Sequence, residues 1–503
     1  MSITARPGPP APLGWVLAAT AAASLIVALD QLVVATALQT IRHDLGASMA
    51  GLEWTVNAFS LSFAALMIPG AELGDRIGRK RAYLLGLIVF ALASAACALA
   101  PNVGTLIAAR VVQGAGGALI LPASLALLTA ATPGHRRGTV MGIYAAVTGL
   151  AVVGGPLVGG AVAQGLAWQW IFWINVPLIA LVLVVASAKL TEEKGGSTRP
   201  DLLGLLLAAG SMCAIVWGLV RSGAAGWSGA EVVGTLTGGA VLLAACIGWE
   251  LRARRPMLPM RLFGNRSFAA GNLSALLLTA SLFATVFFLA QFLQVALGNS
   301  PLGAGVRFLP WTVPLFFVAP VAGRLQDRIG ARVLISAGLA LQGAGLVWLA
   351  VAAHRHGPYG EMAAALMASG VGTSMAMPAQ QTAVMSAAPP SSMGKAAGTF
   401  NTVRQVGGAL GIAVAAAVFA AHGSDRSPAD FTDGFTAAIA TTAVLAFAGA
   451  VTGLFAPGRA KRTGAGTDAD AGAGSRTGAG PGAETHDGAA AKSAGVEGEF
   501  DVR

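Results

Sequence analysis

Long runs of apolar residues dominate the sequence and limit what it can fold into. An α-helix needs about 20 mainly apolar residues to cross the hydrocarbon core of a bilayer. Only 11% of the residues are charged, whereas a soluble protein carries roughly 25%. We therefore predict an all-α polytopic membrane protein. Its fourteen apolar runs lie near residues 15–37, 53–71, 82–100, 104–130, 139–162, 172–188, 202–220, 231–250, 269–297, 304–322, 333–352, 361–386, 396–420 and 433–456.

The positions of Lys and Arg predict the orientation of the chain, because loops that face the cytoplasm carry an excess of these residues. If the N-terminus lies inside, the inner loops hold eighteen Lys and Arg and the outer loops hold five. This split predicts a multi-pass protein of the cell (plasma or cytoplasmic) membrane with both termini in the cytoplasm. It also accounts for the net charge of +10 without a nucleic-acid partner.

An internal repeat divides the apolar region into two halves. The segment Leu45–Ser48 (LGAS) recurs as Leu297–Ser300 (LGNS), 252 residues later, and the same offset carries Asp75–Gly78 (DRIG) onto Asp327–Gly330 (DRIG). Both blocks flank one apolar run in each half. Parallel six-helix halves are typical of alternating-access transporters, in which the substrate site lies between the halves.

The predicted organisation has five parts. The C-terminal part, residues 457–503, contains almost no large apolar side chains, so we expect a disordered cytoplasmic tail that is either simply solvated or regulatory. The parts are a cytoplasmic N-terminus at 1–14, a six-helix bundle at 15–188, two inserted spans with inner loops at 189–268, a second six-helix bundle at 269–456 and the tail at 457–503.

One loop motif and its copy resemble the cytoplasmic signature of the major facilitator superfamily. The motif is Leu73–Lys80 (LGDRIGRK), with Ala71 in place of the usual leading glycine, and the copy is Gly323–Gly330. Its glycines permit a tight turn, and its aspartate can latch an inner gate. The resemblance implies the gating residues Asp75, Arg76, Gly78, Arg79, Asp327, Arg328 and Gly330.

Further motifs resemble the drug:proton antiporters of this superfamily, of the fourteen-span QacA or EmrB type. Arg110–Gly116 (RVVQGAG) is similar to the fourth-span motif, whose arginine is linked to proton transfer. Leu29–Leu38 and Trp170–Pro177 are similar to the first-span and sixth-span segments of that branch. In the fifth span, small residues and a proline resemble the antiporter motif that shapes a close helix contact, namely Gly155, Pro156, Gly159 and Gly160.

The resemblance covers about residues 15–456 and implies the major facilitator fold, with two six-helix bundles and two inserted helices in 14 spans. It also implies a substrate cavity lined by spans 1, 4, 9 and 12. Aromatic rings and Met suit bulky apolar or cationic molecules, although packing against lipid or protein is the alternative for each residue. The cavity candidates are Asn57, Phe283, Phe287, Gln291, Met375, Gln380 and Arg404.

Asp30 is the only Asp or Glu that lies well inside an apolar run. A charge inside the membrane costs roughly 2.5–3.5 kcal/mol on insertion scales, so it points to a function. Residue counts put Asp30 and Arg110 at similar depths, roughly 10 Å below the outer surface, where they are expected to pair directly or through a water. The pair then serves either proton coupling or only the attachment of two helices to each other.

These patterns predict a proton-coupled antiporter that exports drugs or other hydrophobic or cationic small molecules by alternating access. We expect a monomer whose partners are protons, a small-molecule substrate and the lipid bilayer. The sequence has no GxxxxGK[ST] phosphate loop and no nucleophile–base set, and we expect neither enzyme activity nor a cofactor or metal. Two alternatives stay open: a dedicated exporter of an endogenous secondary metabolite or siderophore, and a transporter-like sensor or lipid-handling protein without proton coupling.

Overall fold

The structure, a computed structural model, describes residues 12–133, 136–192, 201–253, 260–389 and 393–456. The predicted tail and most of the predicted N-terminal segment lie outside these ranges. Within them the chain is built almost entirely from α-helices and has no β-strand.

We number the long helices α1 to α14, treating interrupted helices as one. They are α1 Leu13–Leu45, α2 Met49–Ile77, α3 Arg79–Ala98, α4 Val103–Ala131, α5 Arg137–Gly165, α6 Trp170–Trp173 with Asn175–Lys189, α7 Leu202–Ala225, α8 Ala230–Arg252, α9 Arg266–Val295, α10 Pro301–Arg307 with Leu309–Thr312 and Pro314–Ile329, α11 Ala331–His354, α12 Tyr359–Ala387, α13 Met393–His422 and α14 Pro428–Gly453.

Thirteen of the helices are long and apolar enough to cross a membrane, as judged on the described residues. They coincide with thirteen of the predicted spans, which confirms an all-α multi-pass membrane protein. The remaining run falls on α5, which has 29 residues, but several of its side chains lie outside the description. The total of fourteen spans therefore stays a prediction.

Most helices extend beyond the apolar runs that predicted them. The first run was drawn to residue 37, whereas α1 continues to Leu45. The extra turns carry the polar residues Gln39, Arg42 and His43, which a count of apolar residues excludes. The helix ends where Gly46 takes the left-handed conformation, with φ of 61°.

The sequence repeat recurs in the backbone. Gly46 and Gly298, 252 positions apart, have φ of 61° and 63°, and Gly78 and Gly330 have φ of 109° and 85°. Positive φ favours glycine because it has no Cβ atom. The equivalent glycines therefore follow equivalent helices, directly after α1, α2 and α10 and three residues after the end of α9.

The helix starts repeat as well. The Ser48 side chain accepts a hydrogen bond from Gly51 N at the start of α2, and the Ser300 side chain accepts one from Gly303 N at the start of α10. Serine is a favoured N-cap because its oxygen satisfies a free N–H of the first turn. The two halves thus share helix order, turns and caps.

The halves contact each other through α1 with α9, α2 with α13, and α5 with α10. The inserted helices α7 and α8 pack together, and α7 also lies against α2 and α13. There Val216 and Val220 of α7 pack with Leu61 of α2 and Ala409 of α13. We call the end of the bundle at Gly46 the predicted outer end and the end at Gly78 the predicted inner end.

Candidate functional site

Asp30 and Arg110 form an ion pair inside the first half of the molecule. The Arg110 Nη1 group donates to Asp30 Oδ2, and the two residues are 0% and 2% exposed, respectively. The structure therefore brings α1 and α4 together at the two residues for which the sequence predicts a contact. The contact is direct.

The second carboxylate oxygen of Asp30 is bound from two other side chains. Asp30 Oδ1 accepts hydrogen bonds from Gln113 Nε2 on α4 (2.9 Å) and from Asn175 Nδ2 on α6 (2.8 Å). Neither residue was predicted as a site member, although both lie inside the motifs quoted above. The signal for Gln113 was its spacing of three from Arg110, which puts the two side chains on one helix face.

Arg110 has partners besides Asp30. Its Nη1 group donates to Gln113 Oε1 (2.7 Å), its Nε group donates to Thr55 O on α2 (3.1 Å), and its guanidinium carbon lies 4.4 Å from the centre of the Phe59 ring. Arg110 is therefore bonded to α2 and to Gln113 as well as to Asp30.

The acid belongs to one half only. The 252-residue offset maps Asp30 onto Leu282 of α9. The second half has neutral polar contacts nearby, such as Gln342 Nε2 donating to Ser281 Oγ at 3.2 Å. The charged network is an addition to the shared fold, not a product of the repeat.

The glycines of the antiporter motif let α5 approach α1 closely. A methyl group placed on Gly155 would come 2.5 Å from Leu32 Cβ, and one on Gly159 would overlap Val33 O and Thr36 Oγ1. This packing fixes α5 against the helix that carries Asp30.

The same motif reaches the second half of the molecule at the predicted outer end. A methyl group on Gly160 would overlap Pro301 O of α10, and one on Gly305 of α10 would overlap the carbonyl oxygen of Pro156, which is itself buried. The four motif residues thus lie between α1 and α10. Only glycine allows the α5 and α10 backbones to approach this closely.

Polar side chains also join the halves at the predicted outer end. Gln39 Nε2 donates to Gln291 Oε1 (2.9 Å), and Gln294 Nε2 donates to Thr36 O (2.9 Å). Gln39 and Gln291 are 252 residues apart, so they are equivalent positions of the repeat that meet each other. We call these contacts, with the Arg42–Asp425 ion pair, the outer latch.

The gating loop at the predicted inner end is held from within its own half. Arg79 Nε donates to Asp75 Oδ1 (3.0 Å), across the turn between α2 and α3. Arg76 and Arg328 are exposed, and Gly78 and Gly330 are buried. The side chain of Asp327 lies outside the described residues.

Glu192, which follows α6, binds this loop through its side chain and was not predicted as a site member. Its Oε1 accepts from Lys80 N (3.1 Å), while Lys80 Nζ donates to Ser187 O (2.8 Å) and Leu190 O (2.7 Å). A methyl group on Gly78 would overlap the Glu192 carboxylate. The carboxylate therefore satisfies a free N–H at the start of α3.

Three of the predicted cavity residues make contacts within the core or between the halves. Gln291 belongs to the outer latch, and Phe287 is 1% exposed within the core, with its ring centre 5.0 Å from that of Phe288. Met375 faces α11, because a methyl on Gly338 would lie 3.1 Å from its Cβ atom. In the observed conformation Phe287 and Met375 make packing contacts, and Gln291 makes a contact between the halves.

The other cavity candidates lie along α2, α9, α12 and α13. Phe283 contacts α13, since a methyl on Gly408 would lie 3.1 Å from the Phe283 ring. Arg404 is half-buried, with its guanidinium 5.7 Å from the centre of the Phe400 ring. Gln380 and Asn57 are buried.

Comparison with known proteins identifies the class to which this fold and network belong. The sequence profile described as Major Facilitator Superfamily matches residues 20–411 and, separately, 271–483. The chain belongs to this superfamily. It is a multi-pass membrane transporter, and small molecules are its class of substrate.

Several relatives are resistance and export proteins. The chain is 33% identical to a tetracenomycin C resistance and export protein of Streptomyces glaucescens, over 82% of this chain and 77% of the relative. It is 35% identical to the cephamycin export protein CmcT of Amycolatopsis lactamdurans, over 89% of this chain and 93% of the relative. It is also 35% identical to the puromycin resistance protein pur8 of Streptomyces alboniger, over 88% of this chain and 92% of the relative.

Solved transporter structures share the fold. A POT family transporter in complex with 5-aminolevulinic acid superimposes with a TM-score of 0.67 at 14% identity, covering 90% of this chain and 96% of that one. A D-xylose-proton symporter superimposes with a TM-score of 0.62 at 15% identity, covering 88% and 98%.

Proposed function

We propose that the chain is a proton-coupled antiporter that exports antibiotics or other hydrophobic or cationic small molecules by alternating access. The single observation that carries the proposal is the buried carboxylate of Asp30, held by Arg110 and two amides inside one half of a transporter. The export and resistance functions named for the relatives support the direction of transport. The Lys and Arg distribution supports a location in the cell membrane with both termini cytoplasmic.

The proposed cycle uses the ability of Asp30 to change charge. When the predicted outer end opens, a proton from outside neutralises Asp30, and the substrate leaves. Arg110 then keeps its bonds to Thr55 O and Gln113. When the predicted inner end opens, Asp30 releases the proton to the cytoplasm and the ion pair forms again, which prepares the chain for the next substrate.

The charge on Asp30 can act on the outer latch through α1. Gln39 is nine residues further along this helix, about 14 Å at 1.5 Å per residue. The stretch of α1 between Asp30 and Gln39 packs closely against α5 at Gly155 and Gly159, and α5 packs closely against α10 at Gly160. A rigid shift of α1 on protonation would therefore bear on every described latch contact at the predicted outer end.

The substrate range is either broad or restricted to one compound class. A broad range is supported by a relative named as the multidrug resistance protein Stp of Mycobacterium tuberculosis, which is 33% identical over 80% of this chain. A dedicated exporter of one secondary metabolite is supported by relatives named for a single compound, such as cephamycin. A drug-susceptibility panel in a pump-deficient host separates them, since a dedicated exporter protects against one compound class.

Asp30→Asn tests the coupling role directly. Ethidium, or any compound that the susceptibility panel identifies, is added outside everted membrane vesicles, and a pH gradient with an acidic interior is then imposed. The wild-type chain is expected to accumulate substrate when the pH gradient is imposed, and Asp30→Asn is expected to lose this accumulation. The amide keeps the size of the side chain and removes its charge.

Asp44→Asn is the matched control. Asp44 lies on the same helix, is exposed, and accepts from Trp168 Nε1 at 2.6 Å, so the variant makes the same chemical change at a bonded acid outside the network. It should accumulate substrate like the wild type. Normal pH-driven accumulation by Asp30→Asn would contradict the proposed coupling.

A further inference from the structure

A second buried acid lies outside the Asp30 network. Glu53 of α2 is 5% exposed, and its Oε2 atom has no hydrogen-bond partner among the described residues. One turn further along, Asn57 is fully buried, and neither its Oδ1 nor its Nδ2 atom has a partner within the same ranges. Unsatisfied buried polar groups are rare and costly, above all within a membrane. Three of them on adjacent turns point to a ligand.

These two residues are on the face of α2 that meets the other half of the transporter. Positions 53, 57, 64 and 68 are spaced by four or seven residues, so they share one helix face. Thr402 Oγ1 of α13 donates to Ala64 O (3.4 Å), and a methyl on Gly398 of α13 would lie 3.3 Å from Ile68 Cγ1. Glu53 and Asn57 therefore continue the seam between the halves toward the predicted outer end.

The Asp30 network uses a different face of the same helix. Thr55, whose carbonyl accepts from Arg110 Nε, stands two residues from Glu53 and thus about 200° around the helix. The two buried acids are therefore separated by the α2 backbone. A ligand at Glu53 does not displace the ion pair.

The unsatisfied atoms define the chemistry of this ligand. Glu53 Oε2 and Asn57 Oδ1 are acceptors, and Asn57 Nδ2 is a donor. A protonated amine donates several N–H groups from one charged centre, so it can satisfy both acceptors and neutralise the carboxylate. The Asn57 amide would then donate to an oxygen of the same molecule.

We propose that Glu53 and Asn57 bind the protonated amine of a transported molecule at the seam between the halves. This inference rests on the proposed export function, because it assigns a substrate class to that transporter. It separates two tasks, with Asp30 taking the proton and Glu53 taking the cationic substrate. The two acids then act from opposite sides of α2, which carries Glu53 and bonds to Arg110 through Thr55 O.

The test measures binding to the purified full-length chain in lipid nanodiscs at neutral pH, without a proton gradient. The probes are 1-naphthylmethylamine, which is protonated at this pH, and its neutral N-acetyl derivative. The wild type is expected to bind the amine about tenfold or more tightly than the amide, as fits a charge-assisted contact. Glu53→Gln is expected to remove this preference and to leave amide binding unchanged within about twofold.

Two variants control for indirect effects. Glu53→Asp keeps the charge and should keep part of the preference for the amine. Glu231→Gln neutralises an exposed acid at the predicted outer end, one that pairs with Arg221 at 3.0 Å, and should keep all of it. If Glu53→Gln does not fold, Asn57→Ala takes its place, with an expected loss of amine affinity of about two- to tenfold.

The inference would be overturned if the wild type showed no preference for the amine, or if Glu53→Gln kept the full preference. If Asn57→Ala replaces Glu53→Gln, an unchanged amine affinity in that variant would overturn it. Failure of the coupling proposal is distinguishable, because it concerns Asp30→Asn under a pH gradient. The amine test uses no pH gradient and leaves Asp30 unchanged, so the two proposals fail independently.

Discussion

Gly160→Ala is expected to shift the transporter away from the conformation with a closed outer latch. A methyl group at this position would overlap Pro301 O, and backbone atoms cannot turn aside as a flexible side chain can. Inserting a methyl group into a packed contact costs about 1–3 kcal/mol. The contact joins the two halves, so the cost falls on the state in which they meet at the predicted outer end. A cost of this size changes the ratio of the two states by about 5- to 150-fold.

Distances between spin labels on the two halves measure this ratio. Leu166, after α5, and Leu297, after α9, are both exposed near the predicted outer end, and Leu166→Cys with Leu297→Cys provides the label sites once Cys97, Cys213 and Cys246 are replaced. Gly160→Ala should raise the fraction of the longer distance. Gly305→Ala, which would overlap Pro156 O from the opposite half, should do the same.

Gly154→Ala supplies the comparison, because Gly154 directly precedes the motif on α5. A methyl group there would come no closer than 4.0 Å to its neighbour, Leu29 Cδ1, so the distance distribution should stay that of the wild type. Equal distributions for Gly154→Ala and Gly160→Ala would refute the argument that the glycines serve close approach between the halves.

Two smaller perturbations test the ends of the bundle. Arg42→Gln removes the ion pair with Asp425, whose side chains are 28% and 32% exposed. Exposed ion pairs contribute about 0.2–1 kcal/mol, so the fraction of the longer label distance should rise no more than about fivefold. High salt screens such a pair and should abolish the difference from the wild type. A salt-independent effect would contradict this account of the latch. Glu192→Ala removes the carboxylate that binds Lys80 N, and loss of such a cap should lower the free energy of unfolding by about 0.5–2 kcal/mol in denaturant titrations. Unchanged stability would show that the gating loop does not depend on Glu192.

The backbone plan could be predicted from the sequence because it follows from local rules. Apolar runs locate the spans, and a repeat in register fixes which helices are equivalent. Gly78 and Gly330 carried that register correctly because a tight turn with positive φ depends on the residue itself. Helix ends were less well predicted, since α1 continues through polar residues that no membrane constraint excludes.

The contacts between helices were predictable only where chemistry restricted the choice. Asp30 and Arg110 are opposite charges at equal depth, so each had one suitable partner. Asn175 is neutral, and depth alone does not show which face of α6 points toward Asp30. Met375 had the residue type expected for a cavity, but packing turned it toward α11.

Glu53 is a residue whose burial could not be predicted from the sequence. Glu53 is the first residue of the predicted run 53–71, so it did not count as an acid well inside the membrane. The helix that carries it, α2, packs against α13, which begins more than 300 residues further along the chain, so the surroundings of α2 depend on the way the halves meet. Neither hydropathy nor spacing contains that information.

The central claim is that Asp30 couples substrate movement to proton movement. Its most direct test follows the internal pH of proteoliposomes with a trapped fluorescent indicator while an exported compound is added outside, in the absence of an imposed gradient. The wild type and Asp44→Asn are predicted to show a substrate-induced proton flux, and Asp30→Asn is predicted to show none. A flux of wild-type size in Asp30→Asn would contradict the account.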